Sequence, residues 1–98
     1  MPTYVTLLKF TSEGLKNIGD FVKSAEESEK RRTQMGIKRI GAYSILGPYD
    51  AMFIYEAPDE KAAQSLVLSF TPGGSANSET WTLIPMEEFG QLAAKVKG

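Results

Sequence analysis

Only Gly47-Pro48-Tyr49-Asp50 separates an apolar run ending at Leu46 from another beginning at Ala51. Glycine permits a tight turn, Pro48 presets its own φ, and Asp50 can hydrogen-bond nearby amides, so the chain reverses here. Two strands joined by so short a turn lie antiparallel. The hairpin comprises residues 37–46, with Gly41 marking a bulge or a close approach, and residues 51–57 (AMFIYEA). The rest of the chain must be arranged around that pair.

Before the hairpin, Thr3 to Phe10 (TYVTLLKF) is rich in β-branched and aromatic residues and reads as a strand, which Thr11, Ser12 and Gly14 break. Residues 12–35 are helical in pattern, but one helix of 24 residues would reach about 36 Å. An eight-residue strand spans only about 26 Å, and Gly19 inside a helix costs about 1 kcal/mol. The expectation is a short helical turn over residues 14–18, then a main helix with Asp20 as N-cap, ending before Gly36. Its apolar stripe is thin: Val22, Ala25 and Met35, with Ser28 and Arg32 on the same face. The run Glu26-Glu27-Ser28-Glu29-Lys30-Arg31-Arg32 reads as a solvated face with i,i+4 pairs such as Glu27–Arg31.

After the hairpin, Pro58-Asp59 opens a second helix with Ala62, Ala63, Leu66, Val67 and Phe70 at helical spacing. Residues 71–77 (TPGGSAN) read as a loop and residues 78–84 (SETWTLI) as a fourth strand. A last helix from Met86 carries Met86, Phe89, Leu92, Ala93 and Val96 on one face. The order β-α-β-β-α-β plus a terminal helix predicts an α+β, ferredoxin-like domain spanning residues 1–98. Its sheet is apolar on both faces. Val5 and Leu7 oppose Tyr4, Leu8 and Phe10 in the first strand, and Met52 and Ile54 oppose Phe53 and Tyr55 in the third. Helices cover one face of such a sheet, so the other calls for a second copy in a two-fold homodimer. Further association into a higher oligomer remains compatible with the pattern.

Chemistry is narrowed by what is missing. There is no cysteine and no histidine, which excludes disulfides, thiolate or imidazole metal sites and histidine-based triads. No metal or other cofactor is expected. A net charge of −1 gives no electrostatic case for nucleic acid or an acidic membrane. No apolar run approaches the roughly 20 residues needed to span a bilayer, and the opening Met1-Pro2-Thr3-Tyr4 does not start a signal peptide, so a cytoplasmic location is expected.

The chain resembles the GYD domain proteins of bacteria and archaea. The resemblance rests on Met1-Pro2-Thr3-Tyr4-Val5-Thr6-Leu7-Leu8-Lys9-Phe10-Thr11 followed by Gly14-Leu15-Lys16-Asn17-Ile18, and on Leu46-Gly47-Pro48-Tyr49-Asp50 with Glu56-Ala57-Pro58-Asp59-Glu60 after the next strand. Ser78-Glu79-Thr80-Trp81-Thr82-Leu83 and Glu87-Glu88-Phe89 fit more loosely. The resemblance implies a ferredoxin-like subunit paired into a dimeric α/β barrel, with no settled biochemical role. The chain departs from it in the first helix, where Phe21-Val22 replaces a common Ser-Pro start, and Ser28 and Arg31-Arg32 occupy a stretch that is usually more apolar. The Gly-x-Tyr-Asp turn is also similar to one in the effector-binding domains of leucine-responsive-type regulators. Fold alone does not confer their function.

Three function classes follow. The first is a homodimeric small-ligand-binding or regulatory module, its ligand held between sheet and helices or within the barrel. Tyr4, Thr6, Arg39, Tyr43, Tyr49, Asp50 and Trp81 can supply the few placed polar groups of such a pocket. Arg39 stands out because a strand arginine is costly to bury unless paired, so its expected place is in solvent. For Tyr49 and Asp50 the architectural role, bracing the strand end and bonding turn amides, is preferred over a role at a pocket mouth. The second class is a cofactor-free enzyme, monooxygenase- or isomerase-like. Met1-Pro2 invites comparison with enzymes that use a terminal proline as base, but the rest of the chain does not share their pattern. The third is a purely structural or assembly module.

Overall fold

A computed structural model describes residues 1–70 and 74–97 of the chain. The elements run β1 (Thr3–Phe10), α1 (Ser12–Lys16), α2 (Ile18–Glu27), α3 (Glu29–Gln34), β2 (Lys38–Ser44), β3 (Ala51–Glu56), α4 (Glu60–Phe70), β4 (Ala76–Leu83) and α5 (Met86–Lys97). The four strands form an antiparallel sheet in the order β2-β3-β1-β4, the ferredoxin-like arrangement that the element order β-α-β-β-α-β predicts.

Register assigns the faces, because residues paired across antiparallel strands share a side. Tyr4, Thr6 and Leu8 pair with Tyr55, Phe53 and Ala51, and this face meets the helices. Here the core gathers Tyr4, Leu8, Ile37, Phe53, Tyr55, Leu66 and Phe70. Its rings interlock: Phe53 stacks on Phe70 with centroids 4.7 Å apart, and Phe21 meets Phe10 edge-on at 4.8 Å. Offset and edge-on contacts of this kind add to what area burial alone contributes. The opposite, open face presents Val5 and Leu7, both buried, beside half-buried Ile54 and Met52 and exposed Trp81, and none of the five belongs to the helix-facing core.

The first helical segment is cut into three pieces, at Asn17 and Ser28, rather than two. Thr11 caps α1, its hydroxyl accepting from the Gly14 amide at 3.1 Å. Asn17 closes α1 with its side-chain amide donating to the Glu13 carbonyl at 3.1 Å. Asn17 therefore stands where Asp20 was expected. Asp20 lies inside the first turn of α2, where a carboxylate still complements the helix dipole. At the far end Gly36 takes φ 75°, its amide reaching the Thr33 carbonyl and that of Ile37 the Arg32 carbonyl. This Schellman closure, with Ile37 buried behind it, ends the segment where the sequence requires it to.

The bulge expected at Gly41 is present as a register shift between Arg39 and Gly41. β4 starts at Ala76, so the end of the expected loop is already strand, Ala76 being buried opposite Phe10. Residues 71–73 of that loop lie outside the described residues. Asp59 caps α4 through its carboxylate, which accepts from the Ala62 amide at 2.9 Å. Among the described residues no helix is long and apolar enough to cross a membrane.

α5 stands apart. Its stripe of Met86, Phe89, Leu92 and Val96 is exposed, and the chain measures 54 × 31 × 18 Å. The radius of gyration is 15.3 Å, against about 12.6 Å for a compact chain of this length. Accessible surface is 6884 Å², where scaling with mass gives about 5,500 Å². The surplus coincides with apolar side chains exposed on the two edge strands, Ile40, Tyr43, Trp81 and Leu83, and along α5.

Candidate functional site

The seven candidate residues fall in four separate places. At the Gly47–Asp50 turn, the Ile45 amide donates to the Asp50 carbonyl at 3.0 Å and the Asp50 amide to the Leu8 carbonyl at 2.8 Å. The Asp50 carboxylate does not bind the turn's own amides as expected. Its Oδ2 accepts from the Phe10 amide at 2.9 Å, and Oδ1 lies 3.8 Å from Lys9 Nζ. The reason is a strand mismatch: β3 begins opposite Leu8, so the Phe10 amide on that side has no strand partner. Asp50 supplies one and extends the ladder by a side chain. Tyr49 crosses to β4 and donates its hydroxyl to Glu79 Oε2, a bond that holds the phenol proton and raises its pKa above 10.0.

Asp50→Ala is expected to lower stability by about 1–3 kcal/mol, the penalty for a buried or half-buried amide left without an acceptor. Tyr49→Phe should cost less, since its bond is exposed. Urea unfolding of both variants measures the difference, and equal midpoints would remove this role from Asp50.

The second place is the helix-facing side of β1. Thr6 is fully buried, its hydroxyl 2.8 Å from the Tyr55 hydroxyl and 2.9 Å from that of Thr80. Tyr4 lies beside it with its ring 5.9 Å from that of Tyr55. Burial raises the Tyr55 pKa and the bonds from the threonines oppose that rise. The chain of hydroxyls runs outward to a cleft of about 290 Å³ between α4 and β4, bounded by Tyr4, Glu60, Gln64, Thr80 and Thr82. Tyr55 and Thr80 were not among the sequence candidates. They lie on two further strands, and which hydroxyls meet is set by register between segments distant in sequence.

Tyr43 and Trp81 lie on the open face, opposite Met52 and Val5. They sit on the two edge strands, three strand spacings or about 14 Å apart. Trp81 is 53% exposed, and the Tyr43 ring lies over Gly41, where an added Cβ would come within 2.7 Å of it. Arg39 lies opposite Tyr55 on the helix-facing side, exposed as expected. The buried arginine is instead Arg32 of α3. Among the described residues, no three Asp or Glu side chains gather as metal ligands would.

Comparison with known proteins adds family and fold. A model of the GYD domain matches residues 4–93. Over 101 aligned positions the chain is 28% identical to a Thermus thermophilus protein described as "Glutamine synthetase and cystathionine beta-lyase binding protein", covering 99% of this chain and 100% of that one. Among solved structures, MtbAldR superposes with a TM-score of 0.65 at 14% identity over 85% of this chain, which spans about half (51%) of that one. FFRP-DM1 superposes with a TM-score of 0.56 at 16% identity, over 86% of this chain and 100% of its own. At such identities these two likenesses concern the fold alone.

Proposed function

The chain belongs to the GYD domain family, and we propose that it acts as a homodimeric binding module that docks on and regulates other proteins. The observation carrying this reading is the open face of the sheet. Half-buried Met52 and Ile54 and exposed Trp81 flank the buried Val5 and Leu7 there, and none of the five belongs to the helix-facing core. Large exposed apolar patches mark association surfaces. A second copy placed face to face gives an isologous interface and closes the two sheets into a dimeric α/β barrel. The name of the Thermus relative, a binding protein for two enzymes, supports the regulatory half of the reading. The cleft between α4 and β4 is the entrance for a small ligand that tunes the module, with the hydroxyls of Thr80 and Thr82 at its lip.

Light scattering at micromolar concentration is expected to give twice the 10.8 kDa chain mass, or a multiple of that pair. A monomeric mass would sink the pairing, since an obligate interface of this type buries on the order of 2,000 Å². Calorimetric titration into purified glutamine synthetase tests the docking. A saturable heat supports it, and no binding up to about 100 μM, a ΔG weaker than about −5.5 kcal/mol, counts against that enzyme class.

A further inference from the structure

Arg32 is the one charged side chain buried among the described residues, at 6% exposure. Its Nη1 donates to the Ala25 carbonyl at 3.1 Å and to Ser28 Oγ at 2.7 Å, both neutral acceptors. Among the described residues neither Arg32 nor Arg39 forms an ion pair. Burial lowers the Arg32 pKa, the nearby charge of Arg39 lowers it further, and only Glu29 opposes them. A desolvated guanidinium facing a second cation is unfavourable unless something anionic joins them. An uncharged side chain would fill this inner position of α3 without that cost.

Between α3 and the start of β2 is a recess of about 420 Å³ lined by Glu29, Arg32, Thr33, Ile37, Lys38 and Arg39. It sets two guanidinium groups, Arg32 and Arg39, against one carboxylate, in a chain whose net charge is −1, while Lys38 on its wall belongs by register to the other side of the sheet. We propose that this recess binds an oxyanion, the carboxylate or phosphate group of a small molecule, between Arg32 and Arg39. Planar guanidinium forks match both groups bidentately, and charge-assisted bonds are the strong ones. The volume suits a metabolite-sized ligand. The recess lies on the helix-facing side of the sheet, so the proposal stands independently of the open-face pairing.

The test titrates the full chain with inorganic phosphate, and separately with succinate, at ionic strength held constant with sodium chloride. Melting temperature and amide chemical shifts are followed together. A saturable rise with at least one of the two is expected, with shifts centred on residues 29–39. A response to phosphate alone assigns a phosphate ligand, to succinate alone a carboxylate, and to both the shared chemistry. Arg39→Gln, an exposed change, should weaken binding at least about tenfold, the value of one charge-assisted bond. Arg31→Gln, exposed and outside the recess, should leave it unchanged. Arg32→Met should abolish the response without lowering the ligand-free melting temperature. No saturable response to either anion, or equal binding by Arg39→Gln, overturns the proposal.

Discussion

Ile54→Glu is expected to turn the proposed face-to-face dimer into a folded monomer. Ile54 pairs with Val5 near the middle of the open face and is only half-buried within one protomer. A lone protomer can therefore hydrate the new carboxylate. Two-fold symmetry brings two such carboxylates into the sandwiched layer, and desolvating each one costs several kcal/mol. The dissociation constant should rise by at least about a thousandfold, with the far-ultraviolet dichroism of the protomer retained. Trp81→Ala, at the edge of the same face, should weaken association by about 2 kcal/mol if its ring is an anchor. A dimer that survives Ile54→Glu with unchanged affinity would move the interface elsewhere, α5 being the next place to look.

Gly14→Ala carries the largest expected loss of stability. A Cβ built on Gly14 would lie 1.9 Å from the carbonyl oxygen of Ser75, which is backbone and cannot swing aside. The same junction ties the Thr11 amide to that oxygen at 3.1 Å and the Thr11 hydroxyl to the Gly74 carbonyl at 2.8 Å. Relieving the clash means pulling α1 from the start of β4 and breaking these bonds. The expected cost is about 3 kcal/mol or more, beyond ordinary overpacking. That is a large share of the roughly 5–15 kcal/mol by which a domain is stable. Gly19→Ala is the control: nothing lies within 4 Å of its added Cβ. It should gain about 0.5–1 kcal/mol from helix propensity. Denaturant midpoints moving by similar amounts in both variants would contradict the account of Gly14.

Strands were the most legible part of this sequence, because alternation and register are properties of neighbouring residues. β1 occupies the expected residues, the Gly47–Asp50 turn reverses the chain, and the bulge falls beside Gly41. The two apolar faces were visible for the same reason. Helix breaks were less legible. Asn17 and Ser28 end helices through side-chain bonds to nearby carbonyls, and since Asn, Ser and Asp cap about equally well, residue type alone did not decide between them and Asp20. Arg32 lay on the apolar stripe by periodicity and within a charge run by composition. The charge run suggested solvent, but periodicity was the better guide. Asp50 was assigned to its own turn because its true partner, the Phe10 amide, is 40 residues away and free only because β3 starts late. Contacts set by strand lengths elsewhere leave no local trace.

The central position of β1 fixes when this protein can complete its sheet. Both of its neighbours come later in the chain, and Thr3 finds its last partner in Leu83, 80 positions downstream. At 5–20 residues per second, a ribosome needs about 4–16 s to cover that interval. During this time residues 4–8, all buried in the finished sheet, have no strand to pair with on one side. Closure over so long a separation is also the slow kind, since chain entropy must be lost before the contact forms. The delay belongs to connectivity rather than to the residues of β1. Because β4 runs antiparallel to β1 and ends beside its start, a short turn from Leu83 to Thr3 would make the most distant pairing in the sheet a local hairpin.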